Sequence, residues 1–115
     1  MLLLLDKDKK IKQFIKKDIK NIEETNNILD CQISLTKENF ECDMLLIDWD
    51  EFYQDMHIFI DWFIKRNPFV KYVIFYYNIG HEPKLREEIV RKLKFAQYKS
   101  IFITKEKLLE GIKKL

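Results

Sequence analysis

The sequence predicts an α/β domain of three layers, a doubly wound five-stranded parallel sheet with helices on both faces. Three observations carry that prediction. Five short apolar runs alternate with five stretches able to form helices. Strict alternation with short connections yields parallel strands joined by right-handed crossovers. The runs Leu2-Leu3-Leu4-Leu5 and Met44-Leu45-Leu46-Ile47 are unbroken rather than alternating, the pattern of a strand buried on both faces. Each run exits on a carboxylate, Asp6 and Asp48, and the run over residues 100–104 exits on Lys105. In such a sheet the C-terminal edge is where sites form.

The opening leucine run has no basic segment before it and is far too short to span a bilayer, so it reads as strand 1. Asp8 stands where an N-cap belongs. Ile11, Phe14, Ile15, Ile19 and Ile22 follow at helical spacing, which predicts a helix ending near Glu24. Thr25-Asn26-Asn27 is a turn, after which Leu29, Cys31, Ile33 and Leu35 alternate with polar residues as in a half-buried strand toward a sheet edge. Residues 36–42 hold about two helical turns, with Phe40 as anchor. The central strand then runs to Asp48.

Beyond it, the loop Trp49-Asp50-Glu51-Phe52 enters a helix with a stripe of Met56, Phe59, Ile60, Phe63 and Ile64, which Pro68 forces to end near Asn67. Residues 69–77 form a fourth strand, and a loop over 78–82 carries one of the two glycines. Pro83 opens a fourth helix with core positions Leu85, Ile89, Leu93 and Ala96. Residues 100–104 form the last strand, and Leu108, Leu109, Ile112 and Leu115 mark the last helix. For five strands the common order is 2-1-3-4-5, flavodoxin-like, and it sets Asp6 and Asp48 across the crevice between strands 1 and 3.

At 115 residues and 47% hydrophobic content, the chain can bury one core, and residues 1–115 read as a single domain. The 21 Lys and Arg nearly balance the 19 Asp and Glu, so no global field selects nucleic acid or an anionic membrane. The cations Lys84, Arg86, Arg91, Lys92 and Lys94 alternate with Glu87 and Glu88 as on a solvated face. Nucleic acid would then be reached only through a separate output domain. Cys31 and Cys42 lack the number and spacing of a zinc or disulfide framework and read as buried free thiols of a cytoplasmic protein. His57 and His81 have no ligand partners at useful spacing. Trp62, Tyr76 and Tyr77 read as core or edge packing.

Taken in order over essentially the whole chain, these residues resemble the receiver domain of bacterial response regulators. Leu-Leu-Leu-Leu-Asp-Lys-Asp is similar to its strand-1 acid cluster, Cys-Asp-Met-Leu-Leu-Ile-Asp to its phospho-acceptor segment, and Phe-Ile-Thr-Lys to its strand-5 ending. The resemblance implies that Asp48 stands at the position accepting a phosphoryl group from a histidine kinase. It also implies that Asp6 belongs to the acid pair holding Mg²⁺, that Lys105 pairs with the phosphate, and that Phe102 is the switch aromatic. Four departures accompany it. Lys7 stands at the second acid and would repel the metal; Tyr77 replaces the usual Ser or Thr; Glu106 replaces a proline; and the loop after Asp48 lacks the usual proline and glycine.

The expectation is therefore a pseudo-receiver. Its acidic pocket comprises Asp6, Asp48 and Asp50 and is charge-balanced by Lys7 and Lys105, with any Mg²⁺ falling to Asp6 and Asp48. It would be a non-enzymatic regulatory module with no cofactor and no membrane contact. Its partner, or a second copy, would dock on the face made by the fourth helix, fifth strand and fifth helix. A conventional receiver phosphorylated on Asp48 is the alternative. The first motif also resembles that of haloacid-dehalogenase-type phosphatases, but Lys9 departs from that motif and the length leaves no room for a cap.

Overall fold

A computed structural model describes residues 1–18 and 21–113. Strands β1 (Leu2–Leu5), β2 (Ile22–Thr25), β3 (Glu41–Asp48), β4 (Phe69–Tyr77) and β5 (Lys99–Thr104) form one sheet in the order 2-1-3-4-5. Every neighbouring pair is parallel, as expected. The helices are α1 (Lys9–Asp18), α2 (Ile28–Leu35), the one-turn α3 (Trp49–Phe52), α4 (Met56–Arg66), α5 (Pro83–Phe95) and α6 (Lys105–Lys113), and a 3₁₀ turn at Tyr53–Asp55 joins α3 to α4. Because the loop after Asp48 forms α3, the fourth and fifth helices anticipated from the sequence are α5 and α6. No described helix is long and apolar enough to cross a membrane. Ile19 and Leu115, assigned to apolar stripes, lie outside the described residues, as does the side chain of Ile112.

The region around strand 2 corrects the sequence reading. The alternation from Leu29 to Leu35 belongs to a helix, and strand 2 is Ile22–Thr25, inside what was read as the end of helix 1 and a turn. Local chemistry explains both shifts. Asn27 accepts a hydrogen bond from the Asp30 N–H at 2.8 Å, which caps α2 and starts a helix where an extended chain was read. The buried set is Cys31, Ser34 and Leu35, with the i, i+3, i+4 spacing of a helix, whereas Leu29 and Ile33 are 64% and 54% exposed. β2 is held by its neighbour: it pairs with β1 from Leu2↔Ile22 to Leu5↔Thr25, and the Thr25 hydroxyl donates to the Leu4 carbonyl at 2.7 Å. Residues 36–40 make a turn rather than a short helix.

The other boundaries follow their stop signals. Asn67 takes the left-handed conformation (φ 55°) with its N–H on the Phe63 carbonyl, and Pro83 opens α5. Alternation along the strands divides the core in two. Leu3, Leu5, Leu45, Ile47, Val73 and Phe75 face α2, α4 and α5, while Leu2, Leu4, Leu46 and Tyr76 face α1 and α6 through Ile11, Ile15 and Leu108. The same parity carries past the core to the sheet edge. Asp6 continues the row of Leu2 and Leu4, Asp48 that of Leu46, and Tyr76 is in register with Asp48. All three side chains therefore emerge on the α1 and α6 side of the C-terminal edge.

Candidate functional site: an acid cleft at the sheet edge

An open polar cleft of about 420 Å³ lies over that edge, bordered by Asp8, Asp48, Tyr77 and Lys105 among others. Beneath it Asp6 is fully buried, and both its oxygens are engaged. The Tyr76 hydroxyl donates to Oδ2 and the Asp8 N–H donates to Oδ1. Burial raises the Asp6 pKa above the ordinary carboxylate value, and these two donors oppose the rise without cancelling it. Tyr76 is itself buried, and burial together with the neighbouring carboxylates pushes its pKa up, so it remains a neutral phenol that can only donate to Asp6.

Asp48 ends β3 and precedes α3, yet its side chain makes no capping bond and faces the cleft. Partial burial first, and the Asp6 carboxylate second, push its pKa up to about 6. Lys105 opens α6, a start fixed by the Thr104 hydroxyl, which accepts the Lys107 N–H at 3.2 Å. Its ammonium donates to Asp8 Oδ2 at 3.0 Å. β1 and β5 are separated by β3 and β4, so the strands feeding this pair lie three spacings, about 14 Å, apart. The ion pair spans the mouth of the crevice that holds Asp48.

Asp48 and Lys105 thus border one cleft, and Asp6 lies buried beneath it. Two other residues of the expected pocket have partners that the sequence did not indicate. Lys7 was expected to balance Asp6 and Asp48, but its exposed ammonium sits 3.0 Å from Glu51 Oε1 and 5.7 Å from the Phe52 ring centroid. The strand ends at Leu5, and the next two residues turn in opposite senses, so Asp6 goes inward and Lys7 outward; the acid that meets Lys105 is Asp8. Asp50, assigned to the acid pocket, does line the cleft and adds to the charge that raises Asp48, but its carboxylate is committed to the neighbouring loop. Its oxygens accept the N–H groups of Asn78, Ile79 and Gly80 at 2.7, 2.9 and 2.9 Å, which ties the β4–α5 loop to α3. Burial alone would raise its pKa, but those three donors outweigh it and hold the carboxyl below its ordinary range.

The same loop is secured twice more. The buried Trp49 donates Nε1–H to the His81 carbonyl at 2.6 Å, and Tyr53 stacks on the His81 ring at 4.6 Å. Phe102 lies behind this clamp, stacked on Phe75 at 4.5 Å and edge-on to Trp49 at 5.0 Å. Tyr77 points the other way from Tyr76 and carries the Arg86 guanidinium over its ring at 5.2 Å. The tyrosine that enters the acid cluster is therefore Tyr76, which the sequence reading left in the packing. Its signal was parity: an apolar strand presents every second residue to one face, and the register with Asp48 selects which tyrosine faces the acids.

The site can be tested for fit to Mg²⁺, which needs a near-octahedral oxygen shell at about 2.0–2.1 Å. Asp6 is occupied by an O–H and an N–H donor, Asp8 by an ammonium, and Asp50 by three amides. Among the described residues, no group of three or more His, Cys, Asp or Glu side chains is arranged to hold a metal. The arrangement does not fit the ion. What it offers chemically is a carboxyl, Asp48, that exchanges a proton near neutral pH at the floor of an open cleft. Comparison with protein-family models, curated proteins and solved structures finds no match to the chain.

Proposed function

We propose that the chain is a receiver-like regulatory module that acts through protein-protein contacts, with a cleft whose charge is set from within rather than by a metal and a phosphoryl group. The reading rests on the parallel 2-1-3-4-5 sheet and on the convergence of Asp6, Asp48 and Lys105 at its switch point. The single observation that carries phosphate independence is the Tyr76 hydroxyl on the buried Asp6. A cluster of acids repels itself and is ordinarily relieved by a cation. Here a phenol and an ammonium from the chain supply that relief, and neither leaves.

The partner surface in this reading is the face made by α5, β5 and α6, behind which Phe102 packs against Trp49. In a phospho-receiver, chemistry at Asp48 would bias this face through that aromatic; here the bias is fixed by the packing. The test is incubation with a small phosphodonor and Mg²⁺, followed by intact-mass analysis and sedimentation, on the wild type and on Asp48→Asn. The expected result is no phosphoryl adduct and no change in association. An adduct on the wild type that Asp48→Asn abolishes would replace this reading with a conventional receiver served by a histidine kinase.

A further inference from the structure

α5 buries a regular stripe of Leu85, Ile89 and Leu93, and Phe95 lies two residues beyond it on the solvent side. At 93% exposure, Phe95 is the most open large apolar side chain among the described residues. It contributes nothing to the core, and its neighbours Lys92 and Lys94 show what an amphipathic helix places at such positions. The Phe95 ring is itself one wall of an open groove of about 400 Å³ between α4 and α5, which Ile64 and Ala96 line with apolar surface and Asp61, Arg91 and Lys92 with charge. A projecting phenyl next to a groove of its own apolar character marks a contact surface rather than an ordinary solvated face.

The charges on the rim select the occupant. Arg91 and Lys92 are cationic and Asp61 anionic, and Lys92 bridges Asp61 at 2.9 Å and Glu88, just outside the groove, at 3.6 Å. Arg91 makes no ion pair among the described residues. A ligand of one charge sign would be repelled by part of this rim, whereas a surface carrying both signs is complementary to itself about a two-fold axis. We propose that the α4–α5 groove is the seat of a homodimer in which Phe95 of each copy enters the groove of the other, against Ile64 and Ala96, with Arg91 facing the acidic rim across the axis. Two phenyls bury about 150–250 Å² each, which with the rim leaves the interface at the low end of specific contacts. The dimer is therefore weak and forms at high protein concentration. The groove lies off the α5–β5–α6 face, and the inference stands independently of the acid cleft.

Sedimentation equilibrium from about 10 μM to about 1 mM protein tests it, a range that spans the affinities expected of a small interface. The wild type should approach twice the monomer mass at the top of the range, and Phe95→Ser should stay monomeric, its association weakened at least tenfold. Phe95 touches no core, so thermal melts of the two should coincide. Phe95→Cys should form a disulfide-linked dimer under mild oxidation, while the wild type, whose Cys31 and Cys42 are buried, should not. Lys107→Glu, on the other face, should associate as the wild type does. A wild type that stays monomeric throughout, a Phe95→Ser variant that associates equally well, or the absence of cross-linking through Cys at position 95 would each overturn the proposal; the first would leave the groove to a different protein.

Discussion

Replacing Asp48 by Asn should stabilise the protein at neutral pH and do almost nothing in acid. Asp48 moves from 3.8 to about 6 on folding, so about two pKa units separate its folded and unfolded states, worth about 3 kcal/mol at 1.36 kcal/mol per unit. The carboxyl borders an open cleft and solvent screens it, which reduces the usable figure to about 1–2 kcal/mol. The sign follows from linkage. Because the folded-state pKa is raised, the contribution of the protonated group is fully present below 3.8 and is lost as pH rises through about 6. Asn keeps the shape and never ionises, so Asp48→Asn should gain about 1–2 kcal/mol over wild type at pH 7.5 and about zero at pH 4. Lys105 retains Asp8 as its partner in the variant. Urea unfolding at four or five pH values, followed by tryptophan fluorescence, measures the difference directly. A variant less stable than wild type at pH 7.5, or a difference that does not change with pH, would refute the electrostatic account of the cleft.

Tyr76→Phe removes the side-chain donor to the buried Asp6 and should cost about 2–3 kcal/mol at pH 7.5, which a denaturant titration checks. Asp50→Ala strips three acceptor bonds from the β4–α5 loop. Because water can replace part of them, the expected loss is about 1–2 kcal/mol, with faster amide exchange at Asn78, Ile79 and Gly80 by NMR. Gly80→Ala places a methyl 3.1 Å from the Tyr77 ring at φ +77° and should destabilise by about 1–2 kcal/mol in the same unfolding assay. Lys7→Gln removes an exposed pair with Glu51 and a long contact with the Phe52 ring, so stability should change by less than about 1 kcal/mol and the pH midpoint of Asp48, read by NMR, should stay in place.

The layered α/β class, the parallel sheet and its 2-1-3-4-5 order were legible in one dimension because they rest on signals local to each segment. Unbroken apolar runs mark buried strands, prolines stop or start helices, and a carboxylate at a strand exit lands at the sheet edge wherever the strand lies. For the same reason Asp6, Asp48 and Lys105 could be brought to one cleft before any coordinates. The failures share a different cause, which is that neighbours in space outvote neighbours in sequence. The segment from Leu29 to Leu35 fits both periods over so short a length, and the Asn27 cap together with the demand of β1 for a partner at Ile22–Thr25 made it a helix. Lys7 went to Glu51 and Asp8 to Lys105 because a chain leaving a strand alternates its side chains, a matter of one residue that composition does not see. Tyr76 rather than Tyr77 reached Asp6 because the register between β3 and β4 fixes parity, and register is a property of two strands together. The charge on Asp48 is likewise a tertiary quantity: its pKa depends on how much water the cleft admits and on how near the buried Asp6 lies, and neither distance nor solvent exists in the sequence alone.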